Sequence, residues 1–560
     1  MEGFATGAML RLIPPPQESM PRWSRAAAPG VLGLLLVAIA AGVVTPWTLR
    51  NGLMDGYQNE FLHVGNILDL WQAWGDRDAH TLSYLLRENY WPPLFYLSPW
   101  PVFALVGPGH LAMVWTNLLH LGVLLWAVYQ LGLTLGDRRT GLLAMGLVWV
   151  LPSIFGNLVR VEPNVAVCAW VTVGALCLVR SRGFTDRRWS VAFGAACALG
   201  LLMDRLSLAL FLGLPALVEI GVALASADRG RRIHNLAVAT LALLVLCGWW
   251  HWEFVQHHLG ELTSQGGVGE IDSAGVQTEA RDPLALTSLL YYPAILLDEQ
   301  AGLVPGLWLL VALGLSLAGL GDRRRVLLVV VLGALALFTV IQKKQVYYTI
   351  PLLGCLAVLG ALRLRAWPRL GPVLAAGILG AGVHQLGTQL WGTGLPLPDR
   401  AARVLGAPAL PAAWADRRFT QARQPNRLGL PLEALVQALP PGDLVVFSDD
   451  HAWFETYLVL QLRERRPGDQ IRGLISNPHG TYEWFRTTAA LVTVTSAPGE
   501  VYPSAATMDA ALVQRDYVLD ELPPVVDVIE AGGAGLDLVA SWPLAHGPTL
   551  RVFAPTAPES

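Results

Sequence analysis

The stretch FTVIQKKQVYYTIPLLG, Phe338 to Gly354, sets Lys343 and Lys344 between two strongly apolar runs. Runs of roughly 20 apolar residues cross a bilayer as helices, so the stretch reads as a tight turn between two spans. Lysines beside spans usually mark the cytoplasmic side. Whether this pair obeys that trend depends on the rest of the chain.

Working outward, the same alternation of apolar run and short polar turn recurs. Of the 560 residues, 53% are hydrophobic and 14% charged, and the mean hydropathy is +0.45, above what a soluble core requires. The 21 Trp suit a membrane protein, because indoles favour membrane–water interfaces. A net charge of -3 argues against a nucleic-acid partner. Cys168, Cys177, Cys197, Cys247 and Cys355 all lie in apolar runs without metal-ligand spacing and read as small hydrophobes.

The first span, Val31 to Leu49, follows Arg11, Arg22 and Arg25, which sets the N-terminus on the cytoplasmic side. Arginines then cluster after every second crossing: Arg138 and Arg139; Arg180, Arg182, Arg187 and Arg188; Arg229, Arg231 and Arg232; Arg323 to Arg325; Arg363, Arg365 and Arg369. The intervening turns face outward, and the parity gives about eleven spans. Lys343 and Lys344 fall on the outer face, against the positive-inside trend. A short turn with snorkelling lysines is the plain explanation; a cation pair holding a lipid phosphate is the functional one.

From about Ala401 the pattern shifts to regular Pro, Arg and Asp with short β-type runs. GDLVVFSDDHAWFETYLVLQLRER reads as strand, loop and helix, ALVTVTS as a strand, and LDLVASWPLAHGPTLRVFAP as a hairpin. The expected fold class is therefore a mainly α polytopic membrane protein with a small C-terminal soluble α/β domain. The expected domains are a cytoplasmic segment over 1–30, a transmembrane domain over 31–391 with a large first outer loop at 50–110, and a periplasmic α/β domain over 392–560.

Candidate chemistry gathers on the outer face. The first loop, GLMDGYQNEFLHVGNILDLWQAW, carries Asp55, Glu60 and His63, and its apolar residues from Glu60 onward recur at helical spacing, as in a helix lying along the membrane surface. ENYWPPLFYLSPWPVFALVG is too broken by proline for a simple span and reads as an interfacial segment with Trp91 and Trp100 at the water boundary. LVRVEPN brings Arg160 and Glu162, and LLMDRLS brings Asp204 and Arg205. HWEFVQHHLGELTSQGG offers His251, His257, His258 and Glu261, without a standard metal spacing. Each is individually ordinary as a cap, a solvated residue or a snorkeler. Together, cations from three turns beside carboxylates from the first loop fit transfer from an anionic lipid. In a polyprenyl-phosphate sugar, charge grows on the leaving phosphate, where cations stabilise it. A carboxylate can take the proton of the attacking hydroxyl. No nucleotide-binding glycine loop is present.

YWPPLFYL at Tyr90 to Leu97 and KQVYYTIP at Lys344 to Pro351, with the carboxylate loop after the first span and an Arg-containing turn before the fourth, resemble the GT-C glycosyltransferases of the family-39 type. These include protein O-mannosyltransferases and the lipid A aminoarabinose transferases. The resemblance covers roughly residues 31 to 391. It implies an inverting, lipid-linked-sugar-dependent glycosyltransferase in a bacterial inner membrane, acting at the periplasmic face on a lipid, glycan or protein acceptor. It implies Asp55 or Glu60 as base, and Arg160, Arg205, Lys343, Lys344, Tyr347 and Tyr348 as donor-phosphate ligands. No cofactor is required by these residues, and a divalent metal ion stays an open option. Two departures matter: Asn59-Glu60 stands where the family has Asp-Glu, and Met203-Asp204-Arg205 where a Thr-Lys pair is common. The rivals are a transporter or flippase of an anionic lipid and a non-catalytic envelope scaffold.

Overall fold

The computed structural model describes residues 22–51, 58–89, 91–265, 286–318, 324–341 and 347–391. Of the C-terminal part it describes 432–439, 444–448, 462, 465–466, 471–473, 490–495, 536–543 and 549–555. Asp55, Lys343 and Lys344 lie outside the described residues.

The protein is a mainly helical membrane protein with several apolar helices. Among the described residues, five helices are long and apolar enough to cross a bilayer: Pro29–Leu49 within α1 (Arg22–Asn51), α6 (His110–Leu135), α9 (Asn164–Ser181), α11 (Ser207–Leu224), and Arg229–Gln256 within α12 (Arg229–Gln265). A sixth is the pair α7 (Arg138–Trp149) and α8 (Pro152–Leu158), bent by 63°. The break has a local cause. Leu151 precedes proline and is extended at φ -75 and ψ 124, which ends α7 and lets Pro152 open α8. Around these pack α10 (Arg187–Leu201), α13 (Leu286–Ile295), α14 (Leu303–Leu317), α15 (Arg325–Val340), α16 (Leu353–Ala366) and α17 (Gly371–Trp391).

Burial within the bundle is graded. In α9, 89% of the span is buried, against 17% in α1 and 22% in α12. Hence α9 is the central post and the other two are peripheral, their Leu34, Leu35, Leu241 and Val245 left for lipid. Small residues allow close approach: a Cβ on Gly194 would stand 2.0 Å from the Ala239 carbonyl oxygen, so α10 and α12 pack nearly backbone to backbone. All five cysteines are free and buried.

Between α1 and α6 lies a layer made of α2 (Gln58–Asp76), α3 (Ala79–Ser83), a π-helical turn at Tyr84–Glu88, α4 (Pro93–Leu97) and α5 (Trp100–Val106). Pro92 and Pro99 start the last two, splitting an apolar segment into short pieces. In α2, Glu60, His63, Val64, Ile67 and Leu70 are buried on successive turns. The helix read from sequence is present, but Glu60 and His63 lie within its packed face, not against headgroups. This layer shares one apolar core with Val161, Met203 and, from the C-terminal part, Leu435, Leu439, Leu462 and Val552.

The C-terminal part holds α18 (Leu432–Ala438) and the strands β1 (Leu444–Ser448), β2 (Ile471–Gly473), β3 (Ala490–Thr495), β4 (Leu536–Pro543) and β5 (Thr549–Pro555). Their order is β2-β1-β3-β5-β4. β1 is parallel to both neighbours, β5 is antiparallel to β3 and β4, and the β4–β5 hairpin carries a register shift between Leu538 and Ala540.

Candidate active site

Two turns at one end of the bundle converge on α2 and α4, and a third lies near the second. The first follows α8. The Asn117 amide, two turns into the apolar α6, donates toward the carbonyls of Asn157, Leu158 and Arg160 at 3.3, 3.2 and 2.6 Å. One side chain thus holds a turn whose carbonyls would otherwise be buried without donors. Glu60 Oε1 accepts the Val161 N–H at 2.9 Å and tethers the same turn to α2. Asn164 Nδ2 donates to Glu162 Oε2 at 2.6 Å and to Asn157 Oδ1 at 2.9 Å. Burial pushes the Glu162 carboxyl above the usual range, with the Arg160 charge and the Asn164 bond opposing. Arg160 and Glu162 are both buried.

The second turn follows α10 and carries Asp204 and Arg205. The Leu94 N–H donates to the Leu202 carbonyl at 3.1 Å, joining α4 to this turn. The Arg205 guanidinium lies over the Trp91 ring at 4.3 Å, a cation–π contact that holds a positive charge at an apolar layer. From behind, the His251 ring bridges the Arg205 and Cys247 carbonyls at 3.2 and 3.0 Å. Asp204 accepts a hydrogen bond from the Ser207 hydroxyl, and burial raises its carboxyl against that bond. Trp91, expected at the water boundary, is the platform under Arg205.

The two turns meet through α2. His63 lies one helical turn from Glu60, edge-on to Trp91 at 4.7 Å and to Phe95 at 5.0 Å. Its Nδ1 is 3.3 Å from the Tyr96 hydroxyl, which also accepts from Asn66 Nδ2 at 2.9 Å. Burial, with the Arg205 charge adding to it, lowers the His63 imidazole to about 3, so the ring is neutral at any physiological pH. Burial likewise pushes the Tyr96 phenol far above its ordinary value.

The third turn carries Tyr347 and Tyr348. The Tyr348 ring packs against Phe338 at 5.3 Å and edge-on to Tyr347 at 5.2 Å. Its phenol is raised to about 12 by burial, with the charges of Arg205 and Asp204 acting in opposite directions, which places all three in one electrostatic neighbourhood. Thr349, next in the chain, exchanges a hydrogen bond with the Gln300 amide at 2.9 Å, and Ser153 at the start of α8 donates to the Gln300 carbonyl at 2.9 Å. The start of α8 and the third turn are thereby braced to each other.

The structure therefore brings Glu60, Arg160, Arg205, Tyr347 and Tyr348 to one end of the bundle. Sequence reasoning missed the Trp91 platform, the His251 brace and the Asn117 clamp. The signal for Asn117 was legible, as an amide within an otherwise apolar 26-residue helix. Trp91 and His251 are paired across long separations that no local spacing reveals. Among the described residues there is no group of three or more His, Cys, Asp or Glu able to hold a metal ion.

No protein-family model and no curated protein sequence matches the chain. Among solved structures it is similar to ArnT from Cupriavidus metallidurans bound to undecaprenyl phosphate, with a TM-score of 0.56 and 13% identity over 94% of this chain and 98% of that one. It is similar to the same protein in the apo state, with a TM-score of 0.55 and 14% identity over the same shares. The chain shares the fold of that protein.

Proposed function

We propose that the protein is an inverting glycosyltransferase that takes a sugar from a polyprenyl-phosphate-linked donor. The observation that carries this reading is the convergence of Arg160 and Arg205, from turns far apart in sequence, on the Glu60–His63 face of α2 within a GT-C fold. Support for a lipid-linked donor comes from the undecaprenyl phosphate held by the structurally similar ArnT.

In this reading an acceptor hydroxyl attacks the anomeric carbon while the bond from that carbon to the phosphate oxygen breaks. The phosphate leaves with the electron pair, and the hydroxyl proton passes to a carboxylate. Arg205, Arg160, Lys344 and Lys343 stabilise the departing phosphate, and the neutral hydroxyls of Tyr347 and Tyr348 supply further donors. Of the two candidate bases, Glu60 has no exposed surface and spends one oxygen on Val161. We assign it the positioning of the Arg160 turn and assign the base to Asp55.

The membrane topology belongs to the same proposal: about eleven spans, set by the alternation of arginine clusters, with the N-terminus cytoplasmic in a bacterial inner membrane. The transmembrane domain covers 31–391 with its first outer loop at 50–110, and residues 392–560 form a periplasmic α/β domain beside the active site. The acceptor is a lipid, glycan or protein of the cell envelope.

The test is binding of undecaprenyl phosphate to the purified full chain, followed by thermal shift. Undecaprenyl phosphate is expected to stabilise the wild type, undecaprenol much less, and Arg205→Ala to lose most of the difference. Equal stabilisation by phosphate and alcohol overturns the reading.

A further inference from the structure

We propose that the opposite end of the bundle carries a second anion site, built to hold the phosphate of an acidic phospholipid headgroup. α9 starts beside the candidate active site, and its 18 residues rise about 27 Å before Ser181, so its far end stands at the other membrane boundary. There Arg180 folds back on α6, with Nε donating to Thr134 Oγ1 at 3.0 Å and Nη2 to Gln130 Oε1 at 2.6 Å. Its guanidinium lies 4.6 Å from the Trp189 ring centre. A cavity of about 270 Å³ opens beside it, lined by Thr134, Val179, Arg180, Arg182, Asp186 and Trp189.

The charge balance points to a missing anion. Three arginines toward this side are matched by carboxylates: Arg232 with Asp228 at 2.6 Å, Arg325 with Glu219 at 2.9 Å, and Arg365 with Asp137 at 3.0 Å. Among the described residues no carboxylate forms a salt bridge with Arg180 or Arg182. Asp186 also lines the cavity, its Oδ1 capping α10 by accepting from the Arg188 and Trp189 N–H groups at 3.0 and 3.3 Å, and its one negative charge leaves the two guanidinium groups in excess. Arg180 is held by two neutral acceptors and an aromatic face, an arrangement that fixes a cation without neutralising it.

The wall carrying Arg182 is preformed. Arg182, Gly183 and Phe184 take positive φ of 54, 65 and 65 in succession. Arg232 Nη1 donates to the Gly183 carbonyl at 3.0 Å, and Asn235 Nδ2 to the Phe184 carbonyl at 2.8 Å. The Phe184 side chain is fully buried. A left-handed run of this kind is strained and persists where its surroundings over-determine it. Two guanidinium groups, a hydroxyl and an interfacial indole around a space of headgroup size match a phosphodiester, whose acyl chains can continue along the lipid-facing helices.

The experiment is native mass spectrometry of the full chain in neutral detergent, titrated with phosphatidylglycerol and with phosphatidylcholine of equal chain length, and repeated with inorganic phosphate as competitor. The wild type and Arg77→Gln, an exposed arginine at the end of α2, are expected to bind phosphatidylglycerol about tenfold more tightly than phosphatidylcholine. Arg182→Gln, at an exposed side chain, is expected to lose that preference with an unchanged melting temperature. Equal affinity for the two lipids in the wild type overturns the site, as does a preference that survives Arg182→Gln or disappears in Arg77→Gln. Displacement of phosphatidylglycerol by millimolar inorganic phosphate overturns the lipid as the source of the anion.

Discussion

At Glu60 a single hydrogen bond divides the labour between two carboxylates. Its Oε1 holds the Val161 N–H, and glutamine can accept the same bond through its amide oxygen. Glu60→Gln is therefore expected to keep sugar transfer within about tenfold, whereas Asp55→Asn, as the lost base, lowers it by about 10²–10⁴. Initial rates in membranes decide this, and the reverse order would move the base to Glu60. His63 makes a second prediction. Its imidazole is lowered to about 3 in the folded protein against 6.5 in the unfolded chain, so between those values the unfolded state binds the extra proton. Stability contributed by this group is full above pH 6.5 and is lost as pH falls toward 3, at up to about 1.4 kcal/mol per pH unit. Thermal unfolding from pH 7 to 4 should show this slope in the wild type and a flatter one in His63→Gln.

The elements explain why the site could be read only in part. Helix existence followed from apolar runs and proline breaks, and each of the three turns was visible as a charged interruption. What a turn's side chains meet was not visible. Glu60 and His63 recur at a spacing that also suits a surface helix, and only the packing of α2 on α4 and on the Val161 turn buries them. The π-helical turn at Tyr84–Glu88 had no sequence signature, yet its Arg87 reaches Glu253 on α12 at 2.9 Å. The clamp on the first turn gives the element-scale prediction. Asn117→Leu keeps the volume but leaves buried carbonyls of Asn157, Leu158 and Arg160 without their donor. A loss of about 3 kcal/mol in stability and weaker undecaprenyl phosphate binding are expected from melting and thermal-shift titration. Unchanged binding would show that the Arg160 turn does not depend on its clamp.

For the whole molecule, the alternation of arginine clusters proposes which end of the bundle faces outward, and the buried native cysteines make this testable. Gly75→Cys, in the layer before α6, should react with an impermeant maleimide in intact cells, and Gly230→Cys at the start of α12 only after permeabilisation. Both positions are open in the fold, with nothing within 4 Å of an added Cβ. Reversed labelling would invert the proposed orientation and put the Arg160–Arg205 cluster inside. Bond breakage in a lipid-linked sugar at that cluster is tested by transfer of radiolabelled sugar from a panel of synthetic polyprenyl-phosphate sugars in membranes, with wild type beside Lys344→Ala. The wild type is expected to transfer sugar from at least one donor, and Lys344→Ala to lose that transfer. No transfer from any donor, with labelled lipid still bound normally, would contradict it and leave a carrier or a scaffold.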